Sequence, residues 1–185
     1  MLLRGHCRHC RKKIGLRPIV VELSAASIAL ISFLLLPPEA AVAAMLLGWL
    51  LLPIIILDHG HLWIPDRLVL LLAIGGVLAG AMLWPDVELT DRLIGAAAGF
   101  LILEAIRQLH KMLRRQEGMG AADPKLFAAL GLWFGWQALP MILLGASLIG
   151  IAAAIYRYVA SPDSHPALPL GSYFGLAALG MAWLG

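Results

Sequence analysis

The sequence predicts an all-α polytopic integral membrane protein, a bundle of about seven transmembrane helices (six to seven). Three observations carry that prediction. Hydrophobic residues make up 61% of the 185 positions and charged residues only 14%, against about 25% charged in soluble domains. Apolar runs of bilayer length recur along the whole chain, and the basic residues fall in alternate loops. Low charge also excludes a disordered chain, and the 11 prolines follow no collagen period. Two cysteines are too few for a disulfide framework.

Residues 1–17 read as a basic N-terminal segment and residues 18–185 as a transmembrane domain. The segment holds Arg4, Arg8, Arg11, Lys12, Lys13 and Arg17. Because it runs to Arg17 before any apolar stretch, it does not read as a signal peptide. The first span is expected over Pro18–Leu36, with Pro18 suited to a helix start and Pro37-Pro38 to a stop. The second covers Ala41–Leu57 with one interior proline, Pro53. A third runs from Leu68 to Trp84, and a fourth from Leu93 to His110 with Glu104 and Arg107 near its far end. From Leu126 to Tyr156 there are 31 residues without a charge. As one helix they would reach about 46 Å, too long for one span and short for two across a core of ~30 Å. Pro140 and the Gly131/Gly135 region therefore predict two short helices joined near Gln137. The last span is Leu168–Leu184.

With the N-terminus inside, the inner loops are 1–17, 58–67, 107–125 and 157–167, and they hold thirteen of the 14 basic residues. Only Arg92 falls outside. This places the N-terminus on the cytoplasmic side of the membrane. The basic clusters adjoin apolar spans and lack interleaved aromatics, so nucleic acid is not an expected partner. Glycines four apart recur at Gly76/Gly80, Gly95/Gly99, Gly131/Gly135 and Gly171/Gly175. They are expected to pack helices within the chain rather than form a dimer seam.

Once the spans are laid out, Glu22, Asp58, Asp66, Glu104 and Asp123 lie at or near inner span ends. Carboxylates there are costly unless paired, protonated or hydrated, which makes each a candidate functional residue. Asp58 and Asp123 are 65 residues apart in sequence but at equal depth. Two carboxyls that converge share a proton, so one can deprotonate water while the other polarises a carbonyl. A proton or cation pathway through Asp58, Glu104 and Asp123, or plain interfacial solvation, fits the same placement.

Read in order, the motifs resemble the type IV prepilin peptidase family, membrane aspartic peptidases that process pilin and pseudopilin precursors. "LRGHCRHCRKKIGLRPIVVEL" at Leu3–Leu23 is similar to the family's second Cys-x-x-C and its Arg-x-Pro-x-Val-Glu segment. "LDHGHLWIPDRL" at Leu57–Leu68 is similar to its Asp-x(6)-Pro-Asp loop. "EGMGAADPKLFAALGLWFGW" at Glu117–Trp136 is similar to its Gly-x-Gly-Asp-x-Lys signature, and "LPLGSYFGLAALG" at Leu168–Gly180 is a weaker match. The resemblance implies that Asp58 and Asp123 are the catalytic pair, cleaving a basic leader after a glycine at the cytoplasmic face. Asp66 competes for the first role, or serves as an N-cap on the third span. Lys125 would bias Asp123 or contact a substrate carbonyl, or else snorkel at the interface. Gly118 and Gly120 would give the backbone freedom beside Asp123. Glu22 matches the family's Val-Glu pair and would lie near the site or pair with Arg17; Glu104 would pair with Arg107.

Three departures stand out. Ala122 replaces the glycine before the aspartate, Pro124 follows it, and only Cys7 and Cys10 remain of the two Cys-x-x-C pairs that hold zinc in longer members. Two thiolates do not complete a tetrahedral site. His6, His9 or a second chain would have to supply the rest; otherwise the pair is vestigial. No cofactor is expected for peptide cleavage, and methylation from S-adenosylmethionine is not expected without a glycine-rich methyl-donor fold. The implied partners are a prepilin or pseudopilin helix and the bilayer. The alternatives are a small proton- or cation-coupled transporter and an inactive relative that binds pilin helices.

Overall fold

The computed structural model describes residues 15–114, 119–160 and 168–185. Seven helices follow one another: α1 (Arg17–Leu35), α2 (Pro38–His61), α3 (Asp66–Leu83), α4 (Leu89–Arg114), α5 (Asp123–Phe134), α6 (Leu139–Ala160) and α7 (Leu170–Leu184). Among the described residues there is no strand. The chain is thus an all-helical polytopic membrane protein. By length and composition, α1, α2, α3 and α6 can each cross a bilayer.

Proline sets several boundaries. It stands in the first turn of α1, α2 and α5, where a missing N–H costs nothing because that amide has no intrahelical acceptor. Between α5 and α6 the expected division is unequal. The break falls at residues 135–138, and Gly135 takes φ +77°, a conformation that disfavours any side chain. Pro140 does not break the helix. It sits in the first turn of α6, so α5 has 12 residues and α6 has 22. At ~1.5 Å per residue α5 is only about 18 Å long; α6 is a full span.

The short helix is the centre of one side of the bundle, lying between α3 and α4, while α2 packs on α1, α3 and α7, and α6 packs on α7. Glycines permit these approaches. A Cβ at Gly76 would lie 2.9 Å from Leu132 Cβ, and one at Gly95 2.8 Å from the Gly135 carbonyl carbon. Gly175 likewise faces Ile55 of α2, and Gly99 faces Phe127 of α5. The four glycine pairs pack within the chain. Trp133, fully buried, donates from Nε1 to the Leu72 carbonyl at 2.8 Å and so ties α5 to α3.

Arg92, the basic residue that broke the charge pattern, is 2% exposed. Its guanidinium donates to the carbonyls of Trp84 (2.6 Å), Leu132 (3.3 Å), Val87 (3.2 Å) and Trp133. These include carbonyls at the C-terminal ends of α3 and α5, which have no helical partner of their own. Asp91 completes the staple: it accepts from Trp136 Nε1 at 2.9 Å and from Gln137 Nε2 at 3.0 Å. Arg92, in the first turn of α4, is a structural cap, which accounts for its departure from the charge pattern.

Candidate active site

The C-terminal end of α2 and the N-terminal ends of α3, α5 and α7 meet at one end of the bundle and enclose a cleft of about 770 Å³. Its polar lining is Asp58, Asp66, Asp123 and Lys125. Leu62, Trp63, Ile64, Met119, Leu168 and Leu170 supply the apolar part. Asp58 and Asp123, distant in sequence, face the same space, each about equally buried at 5% and 6% exposed. They lie close enough for the charge of Asp58 to act on Asp123.

Asp58 was expected in a loop just beyond the second span. It stands instead inside the last turn of α2, which runs on to His61. The reason is a partner from the far end of the chain. Oδ2 of Asp58 accepts the backbone N–H of Ser172 at 2.7 Å and the Ser172 hydroxyl at 3.1 Å. Ser172 is in the first turn of α7, whose N-cap, Pro169, offers no side-chain acceptor. The carboxylate therefore caps α7 from across the bundle, where free amides and the helix dipole favour an anion. Gly171 permits the approach, since a Cβ there would lie 3.1 Å from Asp58 Oδ2 and 2.5 Å from Ile64 Cδ1. One turn beyond Asp58, Leu62 closes α2 with its N–H on the Asp58 carbonyl at 2.9 Å. It does so at φ +52°, which costs a residue with a side chain roughly 1–2 kcal/mol and turns the chain along the cleft toward Pro65.

Asp123 is the first residue of α5. Its Oδ2 accepts the Gly120 N–H at 3.1 Å, while its own N–H donates to the Gly120 carbonyl at 3.3 Å. This small reciprocal turn orients the carboxyl at the cleft. Pro124 follows in the first turn of α5, so the replaced residue after the aspartate leaves the helix start intact. Ala122 occupies the N-cap position at φ −84°, where alanine fits as well as glycine.

Asp66 is not an N-cap. Pro65 holds that position, and Asp66 opens α3. Its carboxylate reaches across the cleft mouth to Lys125 Nζ, 2.8 Å away, in an exposed ion pair. Lys125 is thus bound to Asp66 rather than left to snorkel. Glu22 is exposed on α1 and does not line the cleft. Glu104 accepts two bonds from Arg107 (2.9 and 2.7 Å) and one from Gln108 (2.6 Å), and it too is outside the cleft. Cys7, Cys10 and Gly118 lie outside the described residues. Among the described residues, no group of three or more His, Cys, Asp or Glu side chains is placed to hold a metal.

Sequence reasoning missed Ser172. Its signal was the "PLGS" start of the last span: proline followed by small residues at a helix N-terminus whose amides lack a local cap. Chemically, two buried carboxyls on one water-accessible cleft can hold a single proton between them. One is then a base and the other an acid within reach of the same bound group.

The model of the Type IV leader peptidase family matches residues 44–155. Among named relatives, a prepilin leader peptidase/N-methyltransferase of Aeromonas hydrophila is 39% identical over 98% of this chain and 63% of its own. Proteins of the same name from Burkholderia pseudomallei (strain K96243) and Pseudomonas aeruginosa are 40% and 36% identical. They cover 98% and 99% of this chain, and 59% and 64% of theirs. The chain therefore spans about three fifths of the length of these relatives. No solved structure matches it.

Proposed function

The chain belongs to the type IV leader peptidase family, and on that premise we propose that it is a membrane-embedded aspartic endopeptidase. Its substrates are type IV prepilins or pseudopilins, cut between a basic leader and an apolar helix at the cytoplasmic face of the inner membrane. Residues 18–185 form the peptidase domain, and residues 1–17 a basic segment on the cytoplasmic side. Asp58 and Asp123 are the catalytic pair. The observation that carries this reading is the meeting of these two buried carboxyls in one cleft.

The pair holds one proton. Its ionised member takes a proton from water as the water oxygen attacks the scissile carbonyl carbon. Its protonated member gives a proton to the carbonyl oxygen, forming a tetrahedral diol. On collapse the C–N bond breaks. The first carboxyl returns its proton to the leaving amine, and a diol hydroxyl reprotonates the second. The atoms balance and the pair regains its starting state. No metal takes part in the step.

The cleft's mixed lining suits such a substrate. Trp63, 62% exposed, and Leu62 offer an apolar rim for the substrate helix.

Purified protein in detergent, incubated with a synthetic prepilin, should release a product whose mass begins at the residue after the leader glycine. Asp58→Asn and Asp123→Asn should each abolish that product while inserting normally. Full cleavage by either variant would end the proposal. Cleavage should also survive EDTA, and loss restored by zinc would contradict the metal-free step.

A further inference from the structure

We infer that Ser172, at the start of α7, is a positioning residue for Asp58 in the proposed reaction. This rests on the peptidase reading above. Asp58 Oδ2 is occupied by two donors from one residue, the Ser172 amide at 2.7 Å and its hydroxyl at 3.1 Å. Oδ1 has no hydrogen-bond partner among the described residues. The side chain is thus fixed through one oxygen, and the other is left to take a proton from water. Ser172 is itself 2% exposed, so these bonds are shielded from competing solvent and strengthened by the low local dielectric.

The hydroxyl has a second acceptor, the Ile55 carbonyl, also at 3.1 Å. Ile55 lies three residues before Asp58 on α2. Ser172 therefore touches both the carboxylate and the helix turn that carries it. One hydroxyl proton serves one acceptor at a time. With the proton on Asp58, the carboxylate is held; with it on Ile55, the carboxylate keeps only the amide bond. Substrate never needs to touch Ser172, because the residue acts on orientation alone. Mispositioning of a reacting group by about 1 Å can cost on the order of 10²-fold in rate, and charge-assisted bonds are the ones that hold such groups.

The test uses the full chain in detergent with a synthetic prepilin as substrate, and Asp58→Asn runs in parallel. Ser172→Ala keeps the amide bond and removes the hydroxyl. It should lower kcat roughly ten-fold while KM and the melting temperature stay at the parent values. Ser172→Thr, which restores the hydroxyl, should recover part of kcat. A kcat within two-fold of the parent, or a rise in KM alone, overturns the inference while Asp58→Asn remains inactive. If Asp58→Asn itself cleaves, the peptidase reading falls and takes this inference with it. Should Ser172→Ala fail to accumulate, hydrogen exchange in Asp58→Ala decides. Exchange at the Ser172 amide should accelerate at least ten-fold while that at Ala178, mid-helix, does not change. Unaltered exchange at Ser172 overturns the inference.

Discussion

The two carboxyls of the cleft are equally buried but differently seated. Asp58 belongs to a long helix, its oxygen bonded to a second helix, with Gly171 close beside it. Asp123 begins a short helix and is held by one amide, Gly120, three residues earlier in its own chain. One seat is built by tertiary packing and the other by a local turn. The pair thus combines one carboxyl fixed by a second helix with one held through a few backbone angles of its own turn.

The strongest break in this comparison is a longer acid on each side. Asp58→Glu would drive its carboxyl past the Ser172 donors toward Gly171, and should cost on the order of 10²-fold or more in kcat/KM. Asp123→Glu should cost roughly ten-fold, since its turn can yield. Equal losses in a prepilin cleavage assay would erase the distinction. Next in size, Arg92→Met leaves buried carbonyls at the ends of α3 and α5 unserved. It should lower stability by about 3 kcal/mol, read as a fall in melting temperature with faster hydrogen exchange first in α5. Smaller again is the glycine pair. A Cβ at either Gly171 or Gly120 would lie 3.1 Å from its aspartate, yet only the first also meets a packed side chain. Gly171→Ala should reduce cleavage roughly ten-fold, and Gly120→Ala clearly less. Lys125→Met is the mildest. The Asp66–Lys125 pair is exposed, so its loss should change stability by less than about 1 kcal/mol in thermal unfolding. A larger change would show that the pair clamps α3 to α5.

Much of the fold was legible in the sequence, because bilayer thickness imposes length and apolarity on each span and proline marks the ends. All seven helices appear where the apolar runs stand. The glycine pairs also pack as spacing suggests. What remained hidden depends on partners remote in the chain. Hydropathy ends the second span at Leu57, since Asp58 is charged. The helix continues because α7 supplies donors that no local window contains. Arg92 looked like an exception to charge sidedness, whereas four backbone carbonyls hold it inside the fold. Asp66 had the sequence position of a cap, but Pro65 takes that place and Lys125, 59 positions later, takes the carboxylate. The join between α5 and α6 falls where expected, around Gln137, but their unequal lengths were not legible. Pro140 reads equally as a breaker or a first-turn residue, and only the left-handed Gly135 decides between them.

The link between Asp58 and Ser172 joins positions 114 residues apart, and it imposes an order on biogenesis. As the polypeptide leaves the ribosome, the first aspartate enters the bilayer long before the helix that anchors it has been translated. Until α7 is seated beside α2, Asp58 Oδ2 lacks both of these donors. A chain cut before α7 would carry both acids but leave the Asp58 carboxylate without the two donors that hold its Oδ2.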